Sequence, residues 1–245
     1  MMEITKLEDL GAAEHGWLSA RYHFSFAEYM DPTRMGFGPL KVWNDDVIRA
    51  GTGFPMHPHR DMEIITYIRS GAISHEDSLG NTGRTVAGDV QVISAGTGIV
   101  HAEYNHEDED TTLFQIWIYP DKRGYDPRWE TRRFPSLERD AALTVLASGR
   151  DQDRDSDALI IHQDAALIAA TLQPGQQVVH ELPEGRAAYV VPARAGVLMN
   201  GTQVPERAGV AVTEGPAIEI EAQDEAELVI VDIPYPWDVR SVING

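Results

Sequence analysis

The chain has 245 residues, 42% of them hydrophobic, enough for one large domain or two small ones with real cores. It contains no cysteine, so disulfides, thiolate metal sites and cysteine nucleophiles are excluded, and any metal must be held by nitrogen and oxygen. With 39 acidic against 20 basic residues, a formal charge of −19, it lacks the concentrated Lys and Arg that direct nucleic-acid binding requires, and the excess acid serves solubility.

The first residues, MMEITKLEDL, show no basic stretch leading into an apolar one, and no apolar run approaches the ~20 residues that span a bilayer. The expectation is a cytoplasmic protein without membrane contact. Residues 1–40 mix aromatics such as Trp17, Tyr22, Phe24 and Phe26 with turn formers such as Pro32, Gly36, Gly38 and Pro39. That mixture predicts an ordered loop with a short helical turn. From Val42 onward the chain reads as short strands separated by Gly, Asn and Asp. The β-branched and aromatic runs at 64–68, 90–93 and 113–119 are the clearest. Residues 120–135 are polar and carry four breakers, Pro120, Gly124, Pro127 and Pro135, which predicts a connection between two halves. Strand signals resume at 143–147, 159–161, 165–172, 187–191, 209–213, 217–221 and 227–233.

Many short strands with turn signals between them predict an all-β protein. A weak internal repeat sharpens this into two antiparallel β-barrels of jelly-roll type in tandem, with few short helices. The first half runs from a glycine turn through His57 to Gly71, and the second from Pro174-Gly175 through His180 to Gly196. The expected domains are 1–135 and 136–245.

Two pairs of residues carry chemistry. His57 and His59 lie two apart in FPMHPHRDME, and His101 and Glu103 lie two apart in GDVQVISAGTGIVHAEYN. In a strand, residues i and i+2 point to the same side. Two such strands side by side inside a barrel bring three imidazoles and a carboxylate together, a donor set suited to Fe, Mn, Co, Ni, Cu or Zn. Pro58 cannot donate to a ladder, which places the first pair at a strand edge or bend. The second half lacks an HxH pair, and nothing like HxE follows Gly209, so one metal is expected, in domain 1–135. His23, His75, His106, His162 and His180 read as structural or surface residues. Phe54, Met56, Ile99 and Tyr104 flank the motifs as candidates to line an apolar pocket.

The spacing of Gly51, His57, His59, Glu63 and Gly71 resembles the first motif of the cupin superfamily, and Gly88, Gly96, His101 and Asn105 resemble its second. More narrowly, RYHFSFAEYMDP, HPHRDMEIITY and GDVQVISAGTGIVHAEYN resemble the pirin family, and within it the bacterial quercetin 2,3-dioxygenases. The motif-level resemblance covers about residues 15–135. It implies a bicupin with metal ligands His57, His59, His101 and Glu103, two open coordination positions, and one divalent ion, Fe(II) first among Fe, Co, Ni, Mn, Cu and Zn. Most cupins draw their carboxylate from the first motif, near Glu63; the pirin pattern uses Glu103, leaving Glu63 as an acid that orients a ligand. The activity implied is cleavage of a flavonol such as quercetin by O2 to a depside and carbon monoxide; a monomer is expected, and Glu103, as ligand or after loosening from the metal, is the candidate base for the substrate's hydroxyl proton. The alternative that the same resemblance offers is a metal-dependent redox sensor acting through a protein partner.

Overall fold

The computed structural model describes residues 1–134 and 142–243. In chain order the strands are β1 Met2–Thr5, β2 Gly11–Glu14, β3 Leu18–Tyr22, β4 Leu40–Ile48, β5 Gly53–His59, β6 Glu63–Ser70, β7 Ala72–Asp77, β8 Thr82–Val86, β9 Asp89–Ser94, β10 Ile99–Tyr104, β11 Thr111–Ile118 and β12 Arg128–Arg133. They continue as β13 Thr144–Ser148, β14 Leu159–Ile160, β15 Ala166–Leu172, β16 Gln177–Glu181, β17 Arg186–Arg194, β18 Val197–Met199, β19 Thr202–Val204, β20 Gly209–Val212, β21 Ala217–Ala222 and β22 Ala226–Pro234. One four-residue helix, α1 Arg240–Ile243, follows. The described residues fall into two compact units. One holds Gly11 to Phe134, Leu159–Gln163 and the C-terminal turn of helix; the other holds Met1–Leu10, residues 142–158 and Asp164–Trp237. The boundary expected at 135/136 lies outside the described residues.

The unit carrying the histidine motifs is two antiparallel sheets, one ordered β12-β9-β6-β11-β4-β3-β2 and one ordered β5-β10-β7-β8. The two ladders stay open, so the expected barrel takes the form of a double-sheet jelly roll. The central strands β6 and β11 are buried on both faces, which is why they read as near-continuous apolar runs. Trp43, Tyr67 and Phe114 fill the layer on one side of them, with Trp43 and Phe114 ring centroids 5.4 Å apart.

Two expectations are corrected here. Residues 1–40 hold the expected loop only over 23–39 and the expected helical turn as a 3-10 turn at Leu7–Asp9; residues 2–22 supply three unexpected strands, β1, β2 and β3. β3 alternates buried Leu18, Ala20 and Tyr22 with half-buried Ser19 and Arg21 and pairs along β4, and β2 folds back on β3 as a hairpin. Residues 120–135 are not only a connection, because β12 pairs with β9 over six positions. Its sequence RWETRR, exposed to half-buried, is that of an edge strand guarded by charge.

The second unit repeats the plan with a sheet that runs β1-β20-β17-β22-β15-β13 and a smaller one ordered β16-β21-β18-β19. Its interior is filled by alternating apolar residues, including Ile168, Ala170, Val190, Met199, Ile218, Ile220, Leu228 and Ile230. At one end a buried ion cluster interrupts them. His180 Nε2 meets Asp232 Oδ2 at 2.8 Å, and Arg186 Nε donates to Asp232 Oδ1 at 2.8 Å.

Candidate metal centre

The inner face of the sheet β5-β10-β7-β8 is a grid set by strand register. His101 lies opposite His57 on one side and Asp77 on the other; Glu103 lies opposite Phe54 and His75. β5 spends two residues, Pro55 and Met56, where β10 spends one, Ala102. This bulge lets Phe54 and His57 both face inward despite their odd spacing. Gly53, beside it, is needed because a Cβ there would collide with the Glu103 carbonyl and the Tyr104 backbone.

The three histidines converge. Ring centroids lie 4.4 Å apart for His57 and His101, 4.7 Å for His57 and His59, and 5.0 Å for His59 and His101. One nitrogen from each falls within 4.8 Å of the others. Glu103 joins them through His101, and its donor group within the same limit is His75 and His101. His57 Nδ1 is 2.7 Å from the Pro55 carbonyl. A carbonyl only accepts, so Nδ1 donates there and Nε2 is the nitrogen left to a ligand. Both nitrogens of His101 are buried without a hydrogen-bond partner among the described residues. Burial, then the neighbouring His57, pushes His59 down to about 4, and burial followed by His57 and His59 pushes His101 lower still. All of this fits a metal: His59 and His101 are held neutral, and the nitrogens of His101 are claimed by no hydrogen bond, which is what a transition ion requires.

Glu103 is gripped by a polar row on the facing sheet. Asn44, Gln115, Thr66 and Gln91 are cross-strand neighbours on β4, β11, β6 and β9. Gln91 Nε2 and Thr66 Oγ1 donate to Glu103 Oε1, and Gln115 Nε2 donates to Oε2 at 2.6 Å. Trp129 Nε1 in turn donates to Gln91 Oε1 at 3.0 Å, which turns the amide's NH2 toward Glu103. Burial raises Glu103 to about 7 against these three donors.

A cavity of about 140 Å³ opens beside the cluster, lined by Leu18, Tyr22, Phe26, Asn44, Asp46, Phe54, His57, His59, Ile64, His101, Glu103, Gln115 and Trp117. Trp117 meets His59 edge-on at 4.9 Å, and Phe26 meets Trp117 edge-on at 5.4 Å. Asp46 is held well above the usual carboxylate range by burial, and further by Asp45 and Glu103.

The pocket residues expected from the sequence divide. Phe54 lines the cavity. Met56 and Tyr104, on the opposite face of their strands, do not; Met56 is 50% exposed and Tyr104 stacks on His106. Ile99 faces inward but packs with Ile64, Ile93 and Ala95. Glu63 is not brought to the cluster. β5 ends at His59, the chain turns through Asp61 at φ 47°, and β6 begins at Glu63. Glu63 therefore faces away from Thr66, accepts from Ser94 Oγ at 2.7 Å, and is raised to about 7 by burial. His75, expected to be structural or surface, is buried beside the cluster, bonded to Asp77 at 3.0 Å and stacked on Trp129 at 4.8 Å. Sequence reasoning misses Thr66, Gln91, Gln115, Asn44 and Asp46, although each is a polar residue within an apolar strand, and that is their signal.

The pirin family model matches residues 5–118, and the model of the quercetinase C-terminal cupin domain matches residues 145–233. A Caulobacter vibrioides pirin-like protein is 51% identical over 95% of this chain and 99% of its own. An Escherichia coli protein named quercetin 2,3-dioxygenase is 41% identical over 96% of this chain and 99% of its own. The solved structure of bacterial pirin YhhW from Escherichia coli in complex with nickel(II) superposes with a TM-score of 0.88 at 41% identity, covering 96% of this chain and 99% of that one. With two cupin domains in sequence and relatives that align over nearly its whole length, the chain belongs to the pirin family.

Proposed function

We propose that this protein is a metal-dependent dioxygenase that cleaves a flavonol such as quercetin with O2 to a depside and carbon monoxide. The observation that carries the reading is the convergence of three imidazoles beside a buried carboxylate at the wall of an aromatic-lined cavity. The relatives named quercetin 2,3-dioxygenase and the nickel complex of a relative support it. His57, His59, His101 and Glu103 would hold the ion, with Fe(II) first among Fe, Co, Ni, Mn, Cu and Zn. That ion would supply Lewis acidity at the substrate's 3-hydroxyl oxygen. Glu103 takes the hydroxyl proton: the O–H bond breaks, the electron pair stays on the substrate oxygen, and the proton is held on the carboxylate between Gln91 and Gln115. Phe26, Phe54 and Trp117 exclude water from the ring. The protein is taken to act as a cytoplasmic monomer, with neither nucleic acid nor membrane as a direct partner; among the described residues no helix is long and apolar enough to cross a membrane.

The test is loss of flavonol absorbance when quercetin and O2 are added to protein loaded in turn with Fe, Co, Ni, Mn or Cu. Turnover with one or more is expected; none with any of them sinks the reading.

A further inference from the structure

A second cavity, of about 270 Å³, lies against the one beside the histidines, and Phe26 and Trp117 line both. Strand register makes the two cavities successive. Asn44 and Gln115 are cross-strand neighbours at the first; Val42 and Trp117, two residues away along the same strands and on the same face, border the second. Neither cavity alone holds three rings. The first, at about 140 Å³, matches the roughly 150 Å³ that takes one benzene ring. Each falls short of the ~300 Å³ at which ligand pockets begin, and joined they exceed it.

The partition between them is one aromatic pair thick, Phe26 edge-on to Trp117. Trp117 is fixed in β11, but Phe26 sits at the tip of the loop 23–39. The base of that loop is clamped. Ser25 N donates to the Arg34 carbonyl at 2.7 Å, Ser25 Oγ to the Asp31 carbonyl at 2.8 Å, and Arg34 Nε to the His23 carbonyl at 2.9 Å. The tip bonds to itself: Phe26 N to the Tyr29 carbonyl at 3.1 Å and Tyr29 N to the Phe26 carbonyl at 3.0 Å, around exposed Ala27 and Glu28. It can swing as a unit without breaking the base. The far wall is built from methionine: three of the chain's seven, Met30, Met35 and Met62, gather there, with Met30 66% and Met35 46% exposed. Unbranched thioether side chains adapt to the face and edge of an aromatic ring, which suits them to a ligand more than to solvent.

We infer that the methionine-lined cavity is the second half of a flavonol site: it takes the aromatic rings beyond the one that carries the 3-hydroxyl, which pass between Phe26 and Trp117 as the tip swings out. The inference rests on the reading of the histidine cavity as a flavonol site and names what separates flavonols from single hydroxylated rings. The edge-to-face contact that Phe26 and Trp117 make with each other is replaced by contacts of each with the ligand.

The test is anaerobic calorimetric titration of the zinc-loaded full chain with 3-hydroxyflavone and with 3-hydroxy-4-pyranone, the hydroxyl-bearing ring alone. Binding is read without turnover, so failure of the dioxygenase chemistry and failure of the second cavity are told apart. 3-Hydroxyflavone is expected to bind about 30-fold tighter than the pyranone. In the double variant Met30→Ser, Met35→Ser, read on protein that retains its zinc, the ratio is expected to fall to about threefold or less through loss of 3-hydroxyflavone affinity. Peroxide oxidation followed by mass spectrometry gives a second measurement on the unaltered chain. 3-Hydroxyflavone is expected to slow oxidation of Met30 and Met35 about fivefold or more relative to Met56, which is 50% exposed and lies outside both cavities. A ratio that survives the double substitution, or oxidation of Met30 and Met35 that keeps pace with Met56, overturns the second cavity alone. Binding of neither ligand overturns the flavonol reading and this inference with it.

Discussion

Glu103 and Glu63 are both buried, and burial raises both to about 7, yet their neighbours give them different work. Glu103 has three donors on its two oxygens and His101 beside it. Glu63 accepts from Ser94 and lies on the face of β6 turned away from Thr66 and the cluster. Glu103→Ala is therefore expected to empty the site, and Glu63→Ala to leave metal content near one ion per chain; metal analysis decides, and the assignment fails if only the Glu63 change empties it. A carboxyl whose folded pKa is raised contributes nothing unfavourable below its ordinary value of 4.5. As pH rises from there through about 7, the unfolded chain ionises first and stability is lost. Glu63→Gln removes that loss while keeping an acceptor for Ser94. It is expected to stabilise the protein by on the order of 1–3 kcal/mol at pH 8 and by little at pH 4.5. Thermal melts at the two pH values check the difference.

At the scale of strands, the residues that carry the chemistry are legible in the sequence because side-chain alternation has a period of two. HxH and HxE are statements about one face of a strand, whatever fold the strand joins. What alternation does not show is where it breaks. The extra residue in β5 puts Phe54 inside and Met56 outside, so the candidates flanking the first motif are sorted by a bulge with no local signature beyond Pro55. The turn at Asp61 likewise cancels the in-phase placement that four residues of unbroken strand would give Glu63 relative to His59. Two single-residue deletions separate these effects. Removing Met56 turns the bulge into a regular ladder with Phe54 and His57 still inward, and full metal stoichiometry is expected. Removing Pro58 makes His57 and His59 adjacent and sends them to opposite faces, with metal affinity expected to fall about 100-fold or more. Chelator competition measures both, and undiminished affinity without Pro58 overturns the face argument.

At the scale of the molecule, the two units share a plan and differ in filling. The first half spends interior positions on Asn44, Thr66, Gln91 and Gln115; the second spends them on residues such as Ile168, Val190, Ile220 and Leu228. The strand runs of the second half and the ligand pairs of the first are legible in the sequence because each is a local pattern. β12 is not, since a pairing partner far along the chain decides it, and the hairpin of β2 and β3 is too short and too rich in small residues to stand out. The asymmetry in filling has a measurable outcome. Zinc binding is expected to slow amide hydrogen exchange in β5 and β10 and to leave β16 and β21 unchanged. Equal slowing in β16 and β21 would place metal-linked stability in both units.

Gln115 gives the polar row one more property. Its single amide holds Glu103 with one end, while the oxygen at the other is buried with no hydrogen-bond partner among the described residues. A ligand hydroxyl that reached that oxygen would polarise the amide and strengthen its grip on the carboxylate. Linkage then runs both ways: whatever free energy the ligand lends to ion affinity, the ion returns to ligand affinity in equal measure. The pair would behave as heterotropic effectors of one another across a single side chain, with no moving part between them.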